Sequence, residues 1–248
     1  STGRTPSITR CSPSVIQENP PVNSAVRLRE KLHMRDWWYG DKRDLVKWAA
    51  VVVLARKWSI RTVLHVALYR PASYNYHFSI GDTTEPLPVE VVRHFRDIDD
   101  IQRLAEATNL KIDIHRDTFQ WNREFRTKKD FRENYFDKVT TKIRQYRDSV
   151  IVFLDPDTGI APVNYDYKHV TPREIRKTFL AMKSGDVLLF YQHSRRGDRD
   201  WVNSTKKEFS EAIGAGVPVD TITCNQIASD VMLLVIERSK WIGSAIDT

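Results

Sequence analysis

From Asp44 to Arg56, apolar residues at 45, 48, 49, 52 and 53 recur at helical spacing, with Asp41 or Asp44 near the expected N-terminus. The triplet Val51-Val52-Val53 keeps a strand open there, because β-branched side chains favour extended backbone. Thr62–Leu68 reads as a first strand, ended by Tyr69-Arg70-Pro71. Tyr74–Pro88, with Gly81 and two prolines, reads as irregular. Apolar residues at 91, 92, 95, 98, 101, 104 and 105 predict a helix over Val89–Thr108, broken near Asp97–Asp100. Leu110–Ile114 alternates as a strand does, and Phe131–Arg147 has helical texture. Val150–Leu154 is five consecutive apolar residues running into Asp155-Pro156-Asp157-Thr158-Gly159, the pattern of a strand buried on both faces. Thr171-Pro172-Arg173-Glu174 carries an N-cap threonine, an N1 proline and an N3 glutamate, opening a helix to about Lys183. Val187–Tyr191 is a further buried strand, Lys206–Ala215 a helix, and Ile227–Glu237 a last apolar strand after Pro218.

Strand and helix thus alternate at least four times. That pattern predicts a Rossmann-like α/β fold, a three-layer sandwich with a mostly parallel central sheet and Val150–Leu154 inside it. Residues 1–33, rich in Ser, Thr and Pro at their start, read as a flexible lead-in, and 34–248 as a single domain.

Composition narrows the class. The apolar run Ala49–Ala55 is too short to cross a bilayer, and the first thirty residues of this sequence lack the apolar core expected of a secretory signal. Cys11 and Cys224 offer neither metal spacing nor a disulfide framework. These features lead us to expect a cytoplasmic protein without a membrane partner. The net charge of +7 and pI near 9.4 suit a polyanionic partner, RNA or DNA. Arg116–Arg147 holds ten Lys or Arg against five Asp or Glu, interleaved with aromatics including Phe119, Trp121 and Phe125. Such a mixture can bind phosphates and stack unpaired bases, which nominates Arg123, Arg126, Lys128, Lys129 and Arg132 as a nucleic-acid surface. A solvated helix with inward-packed aromatics is the plainer reading of the same run.

Four groups stand at expected element ends: Gly40–Lys47, His65-Val66-Ala67, Asp155–Gly159 and Tyr191-Gln192-His193. In a parallel sheet the last three approach one edge, where α/β folds bind ligands. Asp44 is equally a helix cap, and His65 equally a hydrogen-bonded core residue. Two carboxylates one residue apart at a strand end are costly to bury without purpose.

The order of these groups resembles the exocyclic-amine methyltransferases that use S-adenosylmethionine and carry an Asp-Pro-Pro-Tyr type motif. It is most similar to the bacterial 23S rRNA adenine-N6 methyltransferases. Gly40, Asp44, Leu45, Val46 and Lys47 resemble that family's Gly-x-x-x-Asp-x-x-Lys stretch. Leu154-Asp155-Pro156-Asp157 stands where the catalytic motif follows a buried strand, and Phe190-Tyr191-Gln192 where the next strand ends. The resemblance implies methyl transfer to a base amine in nucleic acid, with Asp155, Pro156, Asp157 and His193 at the catalytic centre. It also implies Asp41, Asp44, Lys47, His65 and Ala67 on the cofactor side. Two departures stand out. Pro156 is followed by Asp157-Thr158 instead of proline-tyrosine, and no glycine follows the first strand. A diverged or inactive member fits both.

Asp155-Pro156-Asp157 also resembles the Asp-x-Asp of haloacid-dehalogenase-type phosphatases. On that reading Asp155 and Asp157, with His193, would gather Mg²⁺ for a phosphohydrolase or nuclease. A non-catalytic nucleic-acid-binding module is the third alternative. On the enzymatic readings, Asp155 is expected to be essential to activity and to add little stability.

Overall fold

The computed structural model describes residues 42–69, 77–80, 83–86, 100–195, 197–214 and 217–239. All lie in the unit Leu32–Thr248; the expected lead-in over 1–33, and Asp41 with it, falls outside the described residues. The first helix, α1 (Lys42–Lys57), precedes strand β1 (Thr62–Val66). Next come a hairpin, β2 (His77–Ile80) and β3 (Thr83–Pro86), then α2 (Asp100–Thr108), β4 (Lys111–Ile114) and α3 (Lys128–Gln145). The central strand β5 (Val150–Leu154) leads to a short pair, β6 (Gly159–Ile160) and β7 (His169–Val170). The chain closes with α4 (Pro172–Leu180), β8 (Val187–His193), α5 (Trp201–Ile213), β9 (Asp220–Cys224), α6 (Asn225–Ala228) and β10 (Ser229–Glu237).

Six strands form one sheet in the order β4-β1-β5-β8-β10-β9. The first four run parallel, with Leu64 opposite Asp113 and Val152, and Val152 opposite Leu188. β10 is antiparallel to both β8 and β9. The fold is therefore a Rossmann-like α/β sandwich with β5 internal, as the apolar run predicts. All five β5 residues are buried, because alternate side chains enter opposite cores. Val152 and Leu154 join Leu64, Phe190 and Leu234 against α3, α4 and α5. Ile151 and Phe153 join Val63, Leu189 and Leu233 against α1, α2 and α6.

Capping explains several boundaries. α3 starts at Lys128, three residues before the apolar pattern, because the Thr127 hydroxyl accepts from Asp130 N at 3.1 Å. Thr171 and Glu174 form the expected capping box at α4, with Glu174 accepting from Thr171 N at 2.8 Å. The segment expected to be irregular contains the β2–β3 hairpin instead, closed between Ile80 and Thr83. β9 was not expected. Only Ile222 and Cys224 of its five residues reach intermediate burial, so no apolar pattern marks it. Of the helix expected over 89–108, only Asp100–Thr108 falls among the described residues.

Candidate functional site

Parallel pairing brings the carboxyl ends of β1, β5 and β8 to one edge of the sheet, and the antiparallel β10 begins there. Across this edge lies the first turn of α1. Arg43 and Lys47, one helical turn apart, share a face of that helix. The Lys47 Nζ is 2.8 Å from Asp155 Oδ1 and 3.2 Å from Asp44 Oδ1, and lies 4.1 Å from the centroid of the Tyr191 ring. From β1, His65 places Nε2 3.1 Å from Asp155 Oδ2. The imidazole is fixed by a stacked contact with Phe153 (5.1 Å, 21°) and an edge contact with Trp48 (5.2 Å). Asp155 N donates to Val66 O at 3.0 Å, so the residue continues the β1–β5 pairing beyond the strand.

Asp155 is 4% exposed and His65 fully buried. Burial alone would raise the Asp155 pKa, but the Lys47 ammonium and the His65 hydrogen bond outweigh it and hold the carboxyl below the ordinary value. Burial likewise pulls Lys47 down, and Asp155, Asp44 and Tyr191 overcome it, so the ammonium is raised. Burial drives the Tyr191 phenol up, keeping it protonated. An ionised Asp155 can only accept, so His65 donates from Nε2, and its Nδ1 is buried without a hydrogen-bond partner among the described residues.

A second cluster adjoins the first. Arg43 grips Asp230 at the start of β10, through Nε at 3.1 Å and Nη2 at 2.6 Å. This hydrogen bond is the main reason the Asp230 pKa is lowered. His193 Nε2 sits 3.2 Å from the same carboxylate and Nδ1 3.2 Å from Ser194 O, so both ring nitrogens face acceptors. Between the clusters, Gln192 fixes the segment after Asp155. Its Oε1 accepts from Ile160 N at 2.9 Å, and its Nε2 donates to His193 O at 2.7 Å and to Thr158 O at 3.3 Å. Gly159 is required here: its φ is +130°, and a Cβ would lie 2.2 Å from Gln192 Oε1.

The sheet edge thus joins Asp44, Lys47, His65, Asp155 and, through Tyr191, the neighbourhood of His193. Pro156 is buried beside Asp155, whereas Asp157 is exposed. Lys47 and His65, expected on the cofactor side, contact the carboxylate itself, and Ala67 is 2% exposed. Among the described residues no three His, Cys, Asp or Glu side chains gather as metal ligands. The Mg²⁺ reading therefore lacks a donor set among the described residues: the two oxygens of Asp155 face Lys47 and His65, and Asp157 is exposed.

Of the nominated nucleic-acid surface, Arg123, Arg126, Lys128 and Lys129 are exposed. Arg132 is not. Its guanidinium is bound to Glu174 at 2.7 and 2.6 Å and to His169 O at 2.8 Å, a structural clamp joining α3 to α4. Arg43 and Gln192 lie inside two of the nominated element-end groups but were given no role of their own, and Asp230 was not named at all. Asp230 carries no signal in sequence because its place depends on β10 running antiparallel. At the carboxyl end of β4, a cavity of about 580 Å³ is lined by Trp121, Phe125, Phe131 and Tyr135 with Gln120, Asn122 and Asn134 among its polar groups. None of the described helices is long and apolar enough to cross a membrane.

No protein-family profile and no curated protein matches this sequence. Solved structures with a similar chain course include three bacterial proteins. A DUF574 family protein from Streptomyces avermitilis MA-4680 is 14% identical, with 79% of this chain and 82% of that chain covered and a TM-score of 0.37. A protein described as a candidate methyltransferase from Thermobifida fusca YX is 12% identical over 80% of each chain, with a TM-score of 0.40. An O-methyltransferase family protein from Burkholderia thailandensis is 12% identical, with 80% of this chain and 58% of that chain covered and a TM-score of 0.33. Likeness at that level carries no argument about activity.

Proposed function

We propose that this protein is an S-adenosylmethionine-dependent methyltransferase whose acceptor is a base amine in nucleic acid. One observation carries the reading. The two stretches that resemble the amine methyltransferases, Asp44…Lys47 and Asp155-Pro156, are far apart in sequence but touch through the 2.8 Å contact of Lys47 with Asp155. The contact lies at the edge where α/β sheets receive ligands.

The cofactor, when bound, would supply an electrophilic methyl group. The aromatic cavity beside β4 suits its adenosyl half: flat side chains offer stacking and three amides offer hydrogen bonds. Neighbouring strands are about 4.8 Å apart, so the ends of β4 and β5 are separated by about 10 Å, a span for one extended cofactor. Asp155 would accept a hydrogen bond from the acceptor amine and turn the nitrogen lone pair toward the methyl group. Lys47 and His65 keep that carboxylate ionised and oriented. Asp155 oxygens retain lone pairs beyond those directed at Lys47 and His65.

Calorimetric titration with S-adenosylmethionine, and then with Mg²⁺, separates the readings. Saturable binding of the first and not the second is expected, followed by transfer of radiolabelled methyl to RNA or DNA. Binding of Mg²⁺ alone would move the protein to the hydrolytic class, and binding of neither would leave a non-catalytic module.

A further inference from the structure

We infer that the groove between α3, α4 and the β6–β7 connection binds single-stranded nucleic acid, with Tyr165 as a platform for one unpaired base. The inference extends the proposed function from the acceptor amine to the strand that carries it.

The groove encloses about 750 Å³ and includes Lys129, Arg132, Val163, Tyr165, Arg173 and Lys177. Its distinguishing feature is a built aromatic surface. The Arg132 guanidinium lies 4.8 Å from the buried Phe119 ring and 5.2 Å from the Tyr165 ring. The same guanidinium is held by Glu174 and His169 O, so it cannot swing away. Tyr165 is therefore backed by a fixed cation yet remains 50% exposed. A rigid ring with one side supported and the other open loses little entropy when a base stacks on it. Val163, 96% exposed, adds a projecting apolar contact.

Charge around the ring favours a polyanion. Arg173 pairs with the surface carboxylate of Glu133 at 3.1 Å, and Lys177 with that of Asp137 at 2.7 Å and, more loosely, with Glu133 O at 3.4 Å. Exposed pairs of this kind hold weakly, so a phosphate can take their cations. Lys129 belongs to the exposed basic run at the start of α3 with Arg123, Arg126 and Lys128. The segment bearing Tyr165 also descends directly from Asp155 through β6. A duplex hides its base faces, so the ring selects single strands.

The test uses the full chain and fluorescently labelled 12-mer oligouridylate, with a 12-base-pair RNA duplex for comparison and anisotropy read from low to moderate salt. Y165A is expected to weaken single-strand binding by about tenfold or more, as loss of a base-stacking ring does, without changing the salt slope. Y165F should bind as the parent does. K129Q/R173Q/K177Q should flatten the salt slope by about two to three, since each phosphate contact releases counterions. An unchanged affinity for Y165A, or equal weakening on the duplex, would overturn the inference. Equal affinity for vesicles containing anionic lipid would also overturn it, marking a general polyanion surface. The assay needs no cofactor: if oligouridylate binds as described while S-adenosylmethionine does not, the groove stands and the methyl-transfer reading falls.

Discussion

Replacing Lys47 with Met keeps much of the volume under α1 and removes the cation from Asp155. At 2.8 Å, the Coulomb attraction is about 6 kcal/mol with an effective dielectric near 20, comparable to the several kcal/mol each ion loses on leaving water. The intact pair therefore adds little net stability, but removing one partner strands a buried charge. Lys47→Met should cost about 3–5 kcal/mol at pH 7. Asp155→Asn should cost less, because Asp44 at 3.2 Å still holds the lysine. The double variant should recover about 2 kcal/mol relative to the sum of the two. The pH response gives the sign. Asp155 has a lowered pKa in the fold, so its contribution is present above its unfolded value of 3.8 and is lost as pH falls further. Lys47 has a raised pKa, so its contribution is present below 10.5 and is lost as pH rises beyond it. Between those limits the parent should show no pH dependence from this pair. In Lys47→Met, burial would dominate and raise the Asp155 pKa, so the deficit should shrink as the solution is acidified toward pH 4. Urea unfolding at several pH values measures all of this. Additive single costs, or a deficit that ignores pH, would refute a buried coupled pair.

Other outcomes follow from the same geometry. On the proposed methyl-transfer function, Asp155→Asn should lower label incorporated into nucleic acid by about a hundredfold or more at saturating cofactor. Burial lowers the His115 pKa from 6.5 to about 4, so the unfolded chain takes up a proton that the fold refuses. Stability should fall by about 3 kcal/mol as pH drops from about 6.5 to about 4, and His115→Gln should remove that slope in urea titrations. Gly159→Ala should destabilise by several kcal/mol or prevent folding, read by circular dichroism, because both φ and the Gln192 side chain exclude a Cβ. Arg132→Met should cost about 3–5 kcal/mol by stranding Glu174, an effect that a surface phosphate-binding arginine would not produce.

The architecture was legible where side-chain periodicity reflects burial. Val150–Leu154 is apolar throughout because both faces of β5 are covered, and Thr171 and Glu174 announce α4 because their side chains satisfy the free amides of its first turn. Asp220–Cys224 was not legible, since an edge strand with exposed alternate positions reads like a polar loop. Asp186 was silent for a related reason. It is fully buried, and it accepts from Val150 N at 3.0 Å and Lys183 N at 2.9 Å, tying β5 to β8 at the end opposite the site. Nothing in Gly185-Asp186-Val187 distinguishes that carboxylate from an ordinary turn residue.

The candidate site was legible as convergence and illegible as wiring. Alternating strands and helices suffice to send residues 65, 155 and 193 toward one edge, because parallel strands share a direction. Which groups touch depends on where α1 packs over the sheet edge and on the reversal of β10, and neither leaves a trace in local sequence. The expectation that Asp155 adds little stability is put to the test by that wiring, since Lys47 Nζ lies 2.8 Å from its carboxylate. Read alone, a carboxylate at a strand end looks placed for chemistry and dispensable to the fold. With Lys47 above it and His65 beside it, the same carboxylate is the counter-ion of a buried ammonium. Any substitution there changes chemistry and folding together. Activity lost in Asp155→Asn thus has meaning only beside Lys47→Met, which disturbs the same pair while leaving the carboxylate in place.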